Sequence, residues 1–318
     1  MKNHLIFPFL LFIFLACNRN QTDLNVGTLH AESDAFYEVV PKDAIVERMG
    51  VNFQFTEGPA WYGDGFLLFS DIPANRIYMM KGRNFEVFRE PSGNSNGLIV
   101  TRDGTVIACE HGSRSITGFS REGALQTIAD RFKGARFNSP NDLCISSSGV
   151  IYFTDPPYGL PQGNDDPSRE IDFNGVFMIK DGEVMLIDST LSWPNGIALS
   201  SEEDYLYVAN FEPAGPNGAS RDVFWLRYML DEKGEATGKS RFFTAPDPSL
   251  KGGPDGMRVD RNGNLFVTGP GGVLIIDPDG KYLGRIELPE SPTNLAFGPR
   301  EKELYITARS TVLKVNLK

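Results

Sequence analysis

Six side chains with an oxygen donor lead into six similar stretches of the chain: Glu57, Asn96, Asn141, Asn195, Asp255 and Asn294. Glu57-Gly58-Pro59 leads to Leu67, Asn96-Gly97 to Val106, and Pro140-Asn141-Asp142 to Ile151. Pro194-Asn195-Gly196 leads to Leu206, Pro254-Asp255-Gly256 to Leu265, and Asn294 to Leu304. The step from lead residue to aliphatic is ten positions in five copies and eleven in the Asn195 copy. If the six positions meet, two carboxylates and up to four carboxamides crowd into one place. Like charges brought together destabilise each other unless a cation lies between them. Two negative charges and oxygen-only ligands suit one hard divalent ion, calcium first, with zinc, manganese and magnesium as alternatives; zinc favours His and Cys. The set read as metal ligands is Glu57, Asn141, Asn195 and Asp255. Asn96 and Asn294 serve as well as strand starters that satisfy turn backbone.

Two further residues stand near this set. His111, in Glu110-His111-Gly112, follows the inner hairpin of the second repeat, where a residue at a channel mouth would sit. Its ordinary pKa suits a general base, though a structural histidine fits the position equally. Tyr158 lies in a long Pro-, Gly- and Asp-rich stretch from Asp155 to Asn174. Loops of such length are often lids or binding loops, and Tyr158 could stack on a sugar-like ring or simply pack the loop. Gly93-Asn94-Ser95-Asn96-Gly97 matches a serine-nucleophile pattern, but that motif needs a strand before it and a helix after. Here it runs into a strand, so Asn96 is the residue of interest.

The elements that must position these residues are strands. From Phe36 onward, short runs of Val, Ile, Phe and Tyr alternate with Gly, Asp, Asn and Pro, with almost no helical period. Asp64-Gly65, Asp103-Gly104, Ser148-Gly149 and Asn262-Gly263 read as hairpin turns inside the repeat. A recurrence of about 40 to 60 residues is a propeller blade of four short strands. Val176–Ile179 with Val184–Ile187, and Val273–Ile276 with Leu283–Leu288, read as outer hairpins. The expected fold is therefore an all-β, six-bladed β-propeller. Its last blade supplies only three strands of its own, so Ala44–Met49 is expected to be the fourth, outer strand that closes the ring. The innermost strands line the central channel, which brings the six lead residues together.

The bulk numbers agree. A chain of 318 residues with 41% hydrophobic content can bury a large core. Net charge is −10 with no basic stripe, which argues against nucleic acid as a partner. Lys2 and His4 precede an apolar run, Leu5 to Leu15. That run is shorter than the roughly 20 residues a membrane span needs, and reads as a signal-peptide core. Phe14-Leu15-Ala16-Cys17 resembles a bacterial lipoprotein cleavage site, with Phe14 where leucine is usual. The expected organisation is a lipoprotein-type signal peptide over 1–16, lipidated Cys17 and a polar tether over 17–35, and the propeller over 36–318. This implies an exported, periplasmic or outer-membrane-facing bacterial lipoprotein that touches membrane only through its anchor. Cys109 and Cys144 sit in apolar runs and read as small buried hydrophobes, not a disulfide.

Taken together, Glu57-Gly58-Pro59, Ser139-Pro140-Asn141-Asp142, Phe153-Thr154-Asp155-Pro156-Pro157-Tyr158-Gly159, Pro194-Asn195-Gly196 and Pro254-Asp255-Gly256 resemble the gluconolactonase/regucalcin (senescence marker protein) family. The resemblance runs from about Val46 to the end of the chain. It implies a six-bladed propeller with one catalytic divalent ion, ligated by Glu57, Asn195 and Asp255, with Asn141 matching a fourth ligand of the related paraoxonases. It makes Asp255 the usual base, beside His111 as the other candidate. Arg136-Phe137-Asn138 resembles an Arg-x-Asn that contacts the sugar. The family runs Asn straight into Asp, whereas this chain inserts Ser139, Pro140 and Asn141 before Asp142, so Asn138 and Asn141 compete for one role. The substrate-binding set is then Arg136, Asn138, Asn96 and Tyr158. The implied function is a metal-dependent hydrolase that opens a sugar-derived lactone. A propeller that binds carbohydrate or protein, with calcium as an internal staple, is the alternative.

Overall fold

The computed structural model describes residues 24–120, 123–211 and 223–318. Cys17 and the apolar run before it lie outside the described residues. Six four-stranded antiparallel sheets surround one axis, with a fifth strand added to one of them. Their innermost strands begin at Thr56, Ser95, Leu143, Pro194, Met257 and Asn294, in chain order. The expected outer hairpins form: Asn174–Lys180 pairs with Glu183–Leu191, and Gly272–Ile276 with Tyr282–Glu287. Gly65, Gly104, Gly149 and Gly263 take φ of 88°, 83°, 89° and 84°, the left-handed backbone that a glycine supplies in these turns.

The core is divided rather than single. Each pair of neighbouring blades buries its own apolar wedge. Leu68 of the first blade meets Leu98 and Ala108 of the second; Cys109 of the second meets Leu143 and Phe153 of the third. The ring ends the same way, with Ala296 and Tyr305 of the sixth blade against Leu67 and Phe69 of the first. Strands alternate their two faces, so one blade feeds two wedges and the ring is held by sheet-on-sheet packing. Cys109 and Cys144 are both free, and burial pushes both thiols above their ordinary range.

Closure follows the sequence expectation. Val46–Gly50 pairs with Thr311–Asn316 as the outer strand of the sixth blade. Hydrogen bonds add to the latch: the Lys318 amide donates to the Val39 carbonyl at 3.0 Å, and the Thr293 hydroxyl to the Thr56 carbonyl at 2.7 Å.

One boundary differs. The tether expected over 17–35 does not reach residue 35, because Thr28–Ala31 pairs with Tyr282–Glu287 as a fifth strand on the fifth blade. Phe36, in the short helix Phe36–Val39, is fully buried between the fifth and sixth blades. A four-residue edge strand with half-buried side chains leaves no alternation to read, and it covers an edge that would otherwise be open. Among the described residues no helix is long and apolar enough to cross a membrane.

Candidate active site

At one end of the axis the inner strands open into a cavity of about 590 Å3. Glu57, Asn96, Asn141, Asn195 and Asp255 line it together with His111 and Tyr158. Seven of the residues singled out in the sequence therefore meet in one place.

Backbone geometry explains why they point inward. Pairing of the first blade's inner strand shifts register between Glu57 and Ala60, the second's between Ser95 and Leu98, and the fourth's between Pro194 and Ile197. Each shift is a bulge at the lead residue, which re-aims a side chain that regular alternation would bury in a wedge. The glycine that follows allows neighbouring backbones to touch. A Cβ on Gly58 would lie 2.0 Å from the Asn96 carbonyl oxygen, and one on Gly196 would lie 2.0 Å from that of Asp255. Hydroxyls then tie blade to blade: Ser70 donates to the Asn96 carbonyl at 2.8 Å and Thr154 to that of Asn195 at 2.7 Å.

The competition between Asn138 and Asn141 is resolved by Asp155. Its carboxylate accepts the backbone amides of Asn138 at 2.7 Å and Ser139 at 2.8 Å. This turns the Asn138 side chain away from the cavity, where its amide donates to the carbonyls of Phe173 at 2.8 Å and Asp155 at 3.2 Å. Asn141 faces the cavity instead. Arg136 is likewise not among the lining residues; its amide donates to Glu170 and its guanidinium to the Ser113 carbonyl. Neither Asn138 nor Arg136 is placed to touch a ligand in this cavity. The two strand-starter candidates also part ways. Asn96 lines the cavity, whereas Asn294 lies outside it and donates to Asp142 at 3.2 Å.

Asp142 is the residue that sequence reasoning left without a role. It stands where other blades carry the close-packed glycine and is buried at 1% exposure. Its nearest cation is Arg258, at 3.9 Å. Burial, and next the charge of Asp142, push Glu57 up to about 8. Burial, then Glu57 and Asp142, raise Asp255 well above the carboxylate range. Burial raises Asp142 too, against the pull of Arg258. Three carboxylates and one guanidinium leave an excess of two negative charges when all are ionised, the charge one divalent cation supplies.

The carboxamides point the same way. The side-chain carbonyl oxygens of Asn195 and Asn96 are buried with no hydrogen-bond partner. An orphaned buried carbonyl is costly, and a cation is the partner that satisfies a carboxylate and a carboxamide oxygen together. Among the described residues no three His, Cys, Asp or Glu side chains cluster as a metal site by themselves. The donor set is a mixed, all-oxygen one, which fits a hard ion and not zinc.

His111 is 8% exposed, and burial alone lowers its pKa to about 4. It is neutral near pH 7. Tyr158 shows its ring at the rim, 38% exposed, while its hydroxyl reaches inward to the Asn195 amide at 3.4 Å. The loop that carries it packs tightly: a Cβ on Gly159 would lie 2.6 Å from the His111 Cβ. Gln54 and Pro73 line the walls too, with Phe55, Phe211, Ile72 and Arg309. The last three, like His111, directly follow the second strand of their blades, and that rule could have found them. Ser95 starts a strand, is fully buried against the Ser70 hydroxyl and is not among the cavity-lining residues.

A family model described as "SMP-30/Gluconolactonase/LRE-like region" matches residues 55–310. A gluconolactonase of Zymomonas mobilis is 37% identical over 326 aligned residues, covering 95% of this chain and 90% of that protein. The structure of a gluconolactonase from Xanthomonas campestris superposes with a TM-score of 0.81 at 29% identity, covering 91% of this chain and 95% of that one. A calcium-binding protein, regucalcin, from Agrobacterium tumefaciens shares the fold with a TM-score of 0.69 at 20% identity, covering 85% of this chain and 94% of that one.

Proposed function

The chain belongs to the SMP-30/gluconolactonase/LRE-like family, and from that premise we propose that it opens a sugar-derived lactone with one divalent cation, calcium first, held by Glu57, Asn141, Asn195 and Asp255. It is a lactone-hydrolysing enzyme, with a small-molecule substrate; a gluconolactonase at 37% identity over nearly the whole chain carries that statement. The metal rests on a separate observation: the buried, unpartnered carbonyl oxygen of Asn195 beside two carboxyl groups whose pKa burial raises. That regucalcin, of the same fold, is a calcium-binding protein supports the choice of ion.

Glu57, Asn141, Asn195 and Asp255 would hold the cation where it would supply polarisation of the lactone carbonyl. The chain's own residues do the rest. Asp255, which lines the cavity, takes the proton of the attacking water. His111 is the weaker base, because burial depresses it, and its role is to hold Asn96. The Asn96 side-chain oxygen and the Tyr158 hydroxyl contact the sugar hydroxyls, while Phe55 and Phe211 exclude water.

The test is a panel of five- and six-membered lactones with calcium-loaded protein, corrected for spontaneous opening. Asp255→Asn should lose turnover even at saturating calcium. A variant that opens lactones as fast as the parent removes Asp255 as base and weakens the metal assignment with it. Export and anchoring through Cys17 belong to the same proposal, supported by the apolar run Leu5–Leu15 and the Ala16-Cys17 junction.

A further inference from the structure

The cavity has a second end with the opposite charge. It adjoins a smaller hollow of about 290 Å3, and Phe55, Phe211, Asp255 and Arg309 border both spaces. Lys251 lines the smaller hollow from the fifth blade's side. Arg309 occupies a tight turn of the sixth blade, at φ 48°. That turn is pinned to the strand that carries Glu57, because the Arg309 carbonyl accepts both the amide and the hydroxyl of Thr56, at 2.6 and 3.0 Å. The backbone of Arg309 is thus fixed relative to the cavity floor, while its side chain is exposed.

The side chains of Arg309 and Lys251 make no hydrogen bond or ion pair to any described residue. Arg285, which lines the neighbouring hollow with Lys251, does pair, with Glu287 at 3.6 Å. On a chain of net charge −10, two exposed cations border one small hollow beside the cavity. The buried carboxylate Asp142 has its own cation, Arg258, at 3.9 Å.

Resting on the lactonase reading of this cavity, we infer that the preferred lactone carries an anionic substituent, carboxylate or phosphate, on the carbon remote from its ring carbonyl. The ring carbonyl lies over the carboxylate floor, and the anionic group lies between Arg309 and Lys251. A planar guanidinium suits either anion because it can donate two parallel hydrogen bonds. A neutral lactone leaves both cations solvated, at no penalty, so it remains a substrate with a higher KM.

The experiment compares matched pairs with the full, calcium-loaded protein. A neutral aldonolactone is set against the aldaric lactone that differs by a terminal carboxylate. Gluconolactone is set against its 6-phosphate. At least one anionic member should have a kcat/KM about tenfold above its neutral partner, the scale of one or two partly exposed charged hydrogen bonds. Arg309→Glu and Lys251→Glu should each collapse that ratio about tenfold, mainly through KM, and Lys251→Arg should keep it. Both side chains are exposed, so unchanged melting temperatures would show that the variants fold. Which anion is preferred separates carboxylate from phosphate. If neutral lactones open and neither anionic partner is favoured, or if charge reversal leaves the ratio alone, this inference fails and the lactonase reading stands. If no lactone opens, both fall.

Discussion

The Asn96 side-chain amide lies 3.2 Å from Nε2 of His111, and the carbonyl oxygen of the same carboxamide is buried without a partner. The amide nitrogen is a donor, so Nε2 must accept and the His111 proton sits on Nδ1. A neutral imidazole is required for this, and burial that lowers His111 to about 4 secures it. His111 therefore fixes which end of Asn96 faces the cavity.

The first prediction follows. His111→Phe removes the acceptor but keeps a buried ring, so Asn96 is free to flip. We expect kcat/KM to fall roughly tenfold or more, the scale of one misplaced active-site hydrogen bond. His111→Gln, which keeps an acceptor, should recover part of the loss. Calcium affinity measured by calorimetry should stay close to the parent's in both. If His111→Phe opens lactone at the parent's rate, the positioning role is lost.

Gly196 makes a sharper structural test. A Cβ there would meet the Asp255 carbonyl oxygen at 2.0 Å, and the Gly196 amide donates to that same oxygen at 3.1 Å. Gly196→Ala must push the fourth and fifth blades apart and displace two proposed ligands at once. Overpacking of this kind costs about 1–3 kcal/mol. The expected outcome is a lower melting temperature and a calcium affinity reduced at least tenfold, since Asp255 shifts by a substantial part of an ångström. Gly65→Ala, with nothing within 4 Å of its Cβ, is the control: it should lose stability through its positive φ but keep calcium binding.

Most of this site was legible because the repeat brings it to one place. A polar residue followed by glycine, ten positions before an aliphatic, recurs often enough to define a ring, and a ring has one centre. What stayed hidden depends on contacts between blades. Asn138 and Asn141 could not be told apart until the Asp155 carboxylate was seen to hold the backbone of Asn138 and Ser139. Asp142 follows a lead residue where other blades carry a glycine, and only the structure shows it as a buried carboxylate beside Arg258. Arg136 lay in a family-like motif, but the short ribbon Arg131–Phe132 with Ala135–Arg136 carries it away from the cavity. Arg309 carried no local signal, since its importance comes only from its place after a second strand.

Membrane attachment is tested apart from catalysis. Thr28–Ala31 is already paired with the fifth blade, so the segment between Cys17 and the folded body is short. If Cys17 is lipidated, the propeller sits close to the bilayer, and Cys17→Ser should move it from the membrane pellet to the soluble fraction of lysed cells. Lactone opening by the purified Cys17→Ser protein should equal that of the parent. Equal pelleting of the two forms would remove the lipid anchor from the account.

The last prediction concerns Glu57, whose carboxyl is pushed from its ordinary 4.5 up to about 8. Without a cation, the folded protein binds a proton there that the unfolded chain has released, so stability falls as pH rises across that interval. The cost is about 1.4 kcal/mol for each pKa unit traversed. His111 acts in the opposite sense, since its folded pKa of about 4 lies below its ordinary 6.5. Its contribution is complete above that upper value, which leaves pH 6.5 to 8 as the window in which the carboxyls act without it. Asp155, raised to about 7 by burial, contributes the same sign as Glu57 in part of this window but is equally present in a Glu57 variant. The informative quantity is therefore the difference between parent and Glu57→Gln. In chelator, the parent's melting temperature should fall more steeply from pH 6.5 to 8 than the variant's, and the variant should be the more stable of the two at pH 8. Adding calcium should reverse the order, because the cation takes over from the proton in the parent and finds one ligand charge missing in the variant. A parent whose metal-free stability is flat or rising over this window, or a Glu57→Gln protein that calcium stabilises as much as the parent, would falsify the placement of Glu57 as a ligand charge.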